Sequence, residues 1–188
     1  DFYNQVLPIS KSLGDRKSES ATLNNIGYVY NLLGEPQKAL DFYNQALVLR
    51  KAAGDRNAEA LTLNSLGYVY NSLGEPQRAL DFYNQALALR KAVGDRRGEA
   101  VTLNNIGGVY YLLDELPQAL GYFNQALPLQ KAVGDRSGEA STLNSIGEVY
   151  NLLNEPQKAL DYYNQALPLR KTVGDRRGEA NTLRNIAR

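Results

Sequence analysis

The sequence predicts an all-α chain, a solenoid of antiparallel helix pairs, and three observations carry that reading. Nine residues, Leu23-Asn24-Asn25-Ile26-Gly27-Tyr28-Val29-Tyr30-Asn31, return almost unchanged at 63, 103 and 143 and begin again at 183, a period of 40 residues. Within each copy the apolar residues recur at helical spacing. Between helices stand very short turns rich in Gly, Pro and Asp, which force neighbouring helices antiparallel. A fixed period of this length implies one elongated array in which each hairpin buries its apolar face on the next, so residues 1–188 are read as a single domain.

Taken in order, the array opens on residues 1–19, the second helix of a preceding repeat, because Asp1-Phe2-Tyr3-Asn4-Gln5 matches Asp41-Phe42-Tyr43-Asn44-Gln45. Four whole repeats follow at 20–59, 60–99, 100–139 and 140–179, and residues 180–188 start a fifth. In the first helix of a repeat, Leu23, Ile26, Gly27 and Tyr30 fall on one face, which must be buried. Gly27 sits within that face at a cost of about 1 kcal/mol relative to Ala, which is intelligible if a neighbouring helix backbone approaches there. Gly67, Gly107 and Gly147 repeat it.

The first helix should stop at Gly34 in the left-handed conformation, and Pro36 suits the first turn of the next helix. Asp114 and Asn154 replace that glycine in later repeats, and Asn tolerates the left-handed region better than most residues. The second helix places Ala39, Tyr43 and Ala46 on one stripe flanked by Leu40 and Leu47. Gly54 then ends it, Asp55 caps the following helix, and Glu59 adds negative charge near that helix's positive end. Pro8, Pro128 and Pro168 fall inside second helices, at the register of Val48 and Ala88 on the polar side. The ring can project to solvent there, which predicts a bent but continuous helix.

Composition narrows the function. Lys plus Arg number 21 against 20 for Asp plus Glu, a net charge of +1, so neither nucleic acid nor an anionic membrane surface is the expected partner. The chain has no Cys and no His, which removes thiol nucleophiles, thiolate zinc sites and the commonest general base. The recurrent carboxylate pair Asp55 and Glu59 is a cap and a first-turn charge. No enzyme activity, cofactor or metal is expected. No apolar run reaches the roughly 20 residues of a membrane span, and cysteine-free composition leans towards the cytoplasm. The chain begins at Asp1 and contains no Met, so it is expected to be a piece of something longer.

Leu63, Leu66, Gly67, Tyr70, Gly74, Ala79, Tyr83 and Ala86 stand at the relative positions of the tetratricopeptide repeat pattern, with Leu63 where that family often has Trp. The chain therefore resembles a tetratricopeptide repeat protein over its whole length. A period of 40 rather than about 34 is similar to the longer variety of kinesin light chains, Pins-type polarity adaptors and bacterial arrays, some attached to CHAT protease domains. The resemblance implies a right-handed superhelix whose first helices line a concave surface, and a role as a peptide-binding or assembly scaffold.

On that surface the expected binding stripe is Asn24, Tyr28 and Asn31, continued by Asn64, Tyr68 and Asn71, by Asn104, Gly108 and Tyr111, and by Asn144, Glu148 and Asn151. Arg184 and Arg188 then reverse the sign set by Glu148. An Asn amide offers a donor and an acceptor, the pair needed by a peptide group of any sequence. The competing explanation is a soluble residue copied by duplication, but Asn is a mediocre helix former and stability alone would not keep two per helix. Tyr28, Tyr68 and Tyr111 are either apolar anchors or packing between helices.

The basic residues of the carboxylate clamp that captures chaperone tails are absent from Asn24, Tyr28, Asn104 and Gly108. Arg56, Arg96, Arg97, Arg136, Arg176 and Arg177 lie in turns beside acids, where ion pairing is worth a few tenths of a kcal/mol. The expected partner is thus a peptide or protein segment. The alternatives are a structural spacer, a regulatory arm of a larger protein, or end-to-end self-stacking, with Leu183 and Ile186 completing the half repeat around Phe2 and Tyr3 of another copy.

Overall fold

The computed structural model describes residues 2–187, with side chains from 5 onwards. Ten α-helices and no strand occur among them: α1 (Phe2–Ser12), α2 (Arg16–Leu32), α3 (Pro36–Ala52), α4 (Arg56–Ser72), α5 (Pro76–Val93), α6 (Arg96–Leu112), α7 (Leu116–Ala132), α8 (Arg136–Leu152), α9 (Pro156–Val173) and α10 (Arg176–Ile186). They gather into two compact units, Asp1–Asp95 and Arg96–Arg188. In the first unit α1 packs on α2, α2 on α3, α3 on α4 and α4 on α5; in the second, α6 to α10 pack in the same succession. First helices also meet their own kind, α2 with α4, α6 with α8 and α8 with α10.

The turns behave as their residues dictate. Asp15, Asp55, Asp135 and Asp175 each accept the backbone N–H three residues on, at 2.9–3.0 Å, which satisfies one of the free donors of a helix start. The Gly178 amide, then Arg170, hold the Asp175 carboxyl below its ordinary range. Pro36, Pro76 and Pro156 are the first residues of their helices, whereas in the third repeat Leu116 opens the helix and Pro117 follows it. Gly34 and Gly74 adopt φ of 73°, and Asp114 and Asn154 take the same left-handed region at 59° and 57°. The Glu35 N–H then closes on the Tyr30 carbonyl at 2.9 Å. Pro8, Pro128 and Pro168 lie exposed inside uninterrupted helices, so the carbonyl one turn earlier loses a donor on the side open to water.

The core follows the expected stripes. Leu23, Ile26, Ala39, Leu40, Tyr43 and Ala46 are buried, as are Leu63, Leu66, Ala79, Leu80, Tyr83 and Ala86 one repeat on. Tyr30 is only half-buried and stacks on Phe42 with 5.3 Å between ring centroids, an arrangement that Tyr70 and Phe82, Tyr110 and Tyr122, and Tyr150 and Tyr162 repeat.

The helix glycines require a correction. Each is occupied chiefly by an aromatic ring of the following helix rather than by its backbone. A Cβ would stand 2.9 Å from the Tyr43 ring at Gly27, 2.7 Å from Tyr83 at Gly67, 2.7 Å from Phe123 at Gly107 and 2.5 Å from Tyr163 at Gly147. Any side chain at these positions would press on that ring. At Gly27 the Ala39 carbonyl oxygen also comes within 3.2 Å of that point.

No helix among the described residues is long and apolar enough to cross a membrane.

Candidate functional site

The spacing that buries Leu23, Ile26 and Gly27 leaves Tyr28 on the adjoining strip of α2, and the same holds for Tyr68 on α4. Both are anchored at the backbone and open at the ring, 55% and 54% exposed. Because α2 and α4 touch, the strip forms a cleft of about 280 Å³ lined by Tyr28, Asn31, Leu32, Asn64, Ser65, Tyr68 and the buried Tyr43. Burial raises the pKa of the Tyr43 hydroxyl in this wall, and a hydrogen bond with Ser65 opposes that. In the second unit Tyr111, Glu148, Asn151, Leu152, Tyr163, Arg184 and Asn185 line a cleft of about 300 Å³. Of the expected site residues, Tyr28, Asn31, Asn64 and Tyr68 come together in the first cleft, and Tyr111, Glu148, Asn151 and Arg184 in the second. Asn71 is half-buried and lines neither.

The ladder of two available Asn side chains per repeat is corrected at its first register. Asn24 and Asn144 are each only 8% exposed, and their oxygens are already taken. Asn24 Oδ1 accepts from Thr62 Oγ1 at 3.2 Å and from Arg50 Nη1 at 3.2 Å. Asn104 Oδ1 accepts from Thr142 Oγ1 at 2.7 Å, and Asn144 Oδ1 from Thr182 Oγ1 at 3.1 Å. The recurrent mid-helix Asn is therefore explained at these positions by a joint to the next repeat, which the pairing of Asn with a Thr 38 residues later repeats three times. Asn64, half-buried, keeps a place in the first cleft.

Sequence reasoning missed Arg50. It is 5% exposed, and its Nη1 donates to the Ala58 carbonyl at 2.8 Å as well as to Thr62 and Asn24. Burial lowers its pKa, and the Asp55 charge opposes that. The signal was an Arg, Arg, Gln, Arg series at 50, 90, 130 and 170, set at the end of the second helix beyond the apolar stripe. Ser65 and Asn185 were missed as cleft residues too. Their register holds only Asn or Ser in every copy, Asn25, Ser65, Asn105, Ser145 and Asn185.

Where the ends are concerned, the side chains of Phe2 and Tyr3 and the whole of Arg188 lie outside the described residues. Leu183 is exposed on α10, and Ile186 is half-buried. Ala187 occupies the register of Gly27, Gly67, Gly107 and Gly147.

Comparisons with known proteins agree with this architecture. The family model for the tetratricopeptide repeat matches residues 1–52, 18–92 and 98–172. No curated protein sequence matches the chain. Among solved structures, BtubC (BKLC) from P. vanneervenii superimposes with a TM-score of 0.81 at 22% identity, over 92% of this chain and 72% of that one. Aspartyl phosphate phosphatase F from Bacillus subtilis gives 0.82 at 14% identity, over 96% of this chain and 50% of that one. The apo form of RapI gives 0.79 at 20% identity, over 98% and 52%. The chain thus spans about half the length of the last two, and likeness at such identities concerns the fold. Repeat after repeat, the helix pairing, the glycine registers and the family match agree: the chain belongs to the tetratricopeptide repeat family, a repeat scaffold of protein interaction.

Proposed function

We propose that the chain holds an extended segment of another protein along the first-helix face of each unit, with no catalytic step of its own. The observation that carries this reading is the first cleft, where two half-exposed tyrosines stand beside the Asn31 amide. Large rings with few rotamers contribute apolar contact at small entropic cost, and amides can pair with peptide N–H and C=O groups of any sequence. The spacer reading has no comparable support, since stability alone gives no reason to leave Tyr28 and Tyr68 open to water. End-to-end stacking through α10 is disfavoured by Ala187, because the partner ring would meet a methyl group where Gly27 and its equivalents leave room.

A peptide-display selection against the whole chain tests the groove, counter-screened with the Tyr28→Ala, Tyr68→Ala double variant. Both rings are open, so the variant should melt close to the parent, while enriched peptides lose about 2 kcal/mol of affinity or more, as for an aromatic hot spot. Enrichment that survives in the variant would place binding elsewhere.

A further inference from the structure

The cleft of the second unit is the cleft of the first, three repeats further along the sequence, with its lining changed. Asn31, Leu32 and Tyr43 return as Asn151, Leu152 and Tyr163, whereas Tyr28 becomes Glu148, Asn64 becomes Arg184 and Ser65 becomes Asn185. Glu148 is half-buried and aimed: its Oε1 accepts from Asn144 Nδ2 at 2.8 Å and from Asn185 Nδ2 at 3.1 Å. Those donors come from α8 itself and from the adjacent α10, so the carboxylate is fixed between two first helices. Its Oε2 receives no donor from the described residues. Arg184 is exposed, and its Nη2 donates to Asn181 Oδ1 at 3.0 Å within its own helix.

We infer that the second cleft selects a lysine or arginine side chain of the bound segment, with the Glu148 carboxylate as its acceptor. This rests on the groove reading above. A partly desolvated carboxylate interacts more strongly with a cation than an exposed one does, and two amides hold it in place beforehand. A neutral ligand residue would cover Glu148 without pairing it, which costs binding rather than merely failing to add to it. The half-buried Tyr111 supplies an apolar wall for the methylene stem of such a side chain. Burial, and then the Glu148 charge, raise the Tyr111 pKa, as expected where negative potential reaches that wall.

The test uses the whole chain and pools of extended nine-residue peptides with one position fixed in turn as Lys, Arg, Gln, Glu or norleucine. Lys and Arg pools should bind about tenfold more tightly than Gln pools, and less so in high salt. Glu148→Gln, which keeps an oxygen for both amides, should abolish the preference without shifting the melting temperature. Glu148→Tyr, which restores the first unit's residue at that one position, should turn the preference towards norleucine. Basic preference that persists in Glu148→Gln overturns the assignment, as does binding with no basic preference in the parent, and both leave the groove standing. No binding by any pool overturns the groove reading and this assignment together.

Discussion

Gly67 and Gly108 lie in the middle of first helices and have opposite reasons to be glycine. At Gly67 a methyl group would meet the Tyr83 ring at 2.7 Å, whereas at Gly108 nothing lies within 4 Å. Gly67→Ala should therefore destabilise the chain, overpacking of about 1–3 kcal/mol outweighing the helix propensity gained. Gly67→Val should be worse still, and Gly108→Ala should stabilise by about 0.5–1 kcal/mol. Chemical denaturation of the three variants reads the order directly, and equal midpoints for Gly67→Ala and Gly108→Ala would contradict the ring contact. The sequence shows that Gly67 lies on a buried face, because its register is apolar. It does not show which atoms fill the space, since backbone and ring satisfy the same pattern, and the ring belongs to the next helix.

Between elements, the joint of Asn24, Arg50 and Thr62 links three successive helices through side chains. Thr62 is fully buried and its hydroxyl takes part in bonds with both other members, so Thr62→Val keeps the shape and removes the connection. The expected loss is about 1–3 kcal/mol, the cost of leaving buried partners unpaired. Thr22 has the same register on α2 and no such bond among the described residues, so Thr22→Val should cost much less by the same melt. Helix ends and turns were legible because Gly34, Pro36 and Asp55 act locally, on atoms a few residues away. The joint was not, because Arg50 owes its burial to residues 26 and 12 positions distant, on helices whose approach no local pattern specifies. Asn24 was misread for the same reason, as a polar residue beside an apolar face reads equally as groove lining or as a bond to a neighbour.

At the scale of the molecule, stability in such arrays is approximately a sum over neighbours. α4 packs on α3 and α5 and also touches α2, and α8 is bracketed in the same way, while among the described residues α1 packs on α2 alone. Hydrogen exchange should accordingly be slowest in α4 and α8 and fastest in α1 and α10, which buries only Gly178 and Thr182. Uniform protection along the chain would mean that it opens as one unit instead. Period and composition made the repeat architecture legible from sequence. The two clefts were partly legible: their first-helix residues share a stripe, but Ser65, Asn185, Tyr43 and Tyr163 complete them from positions that the stripe does not include.

The bond between an Asn and the Thr 38 residues later has a consequence for how such a chain can change. At each of these three junctions the earlier repeat carries the acceptor and the later repeat the donor. Recombination that removes or inserts one period rejoins an Asn to a Thr at the old offset, so the seam is remade without a compensating mutation. Array length can then drift by whole periods while Tyr28, which takes no part in the Asn–Thr bond, diverges independently.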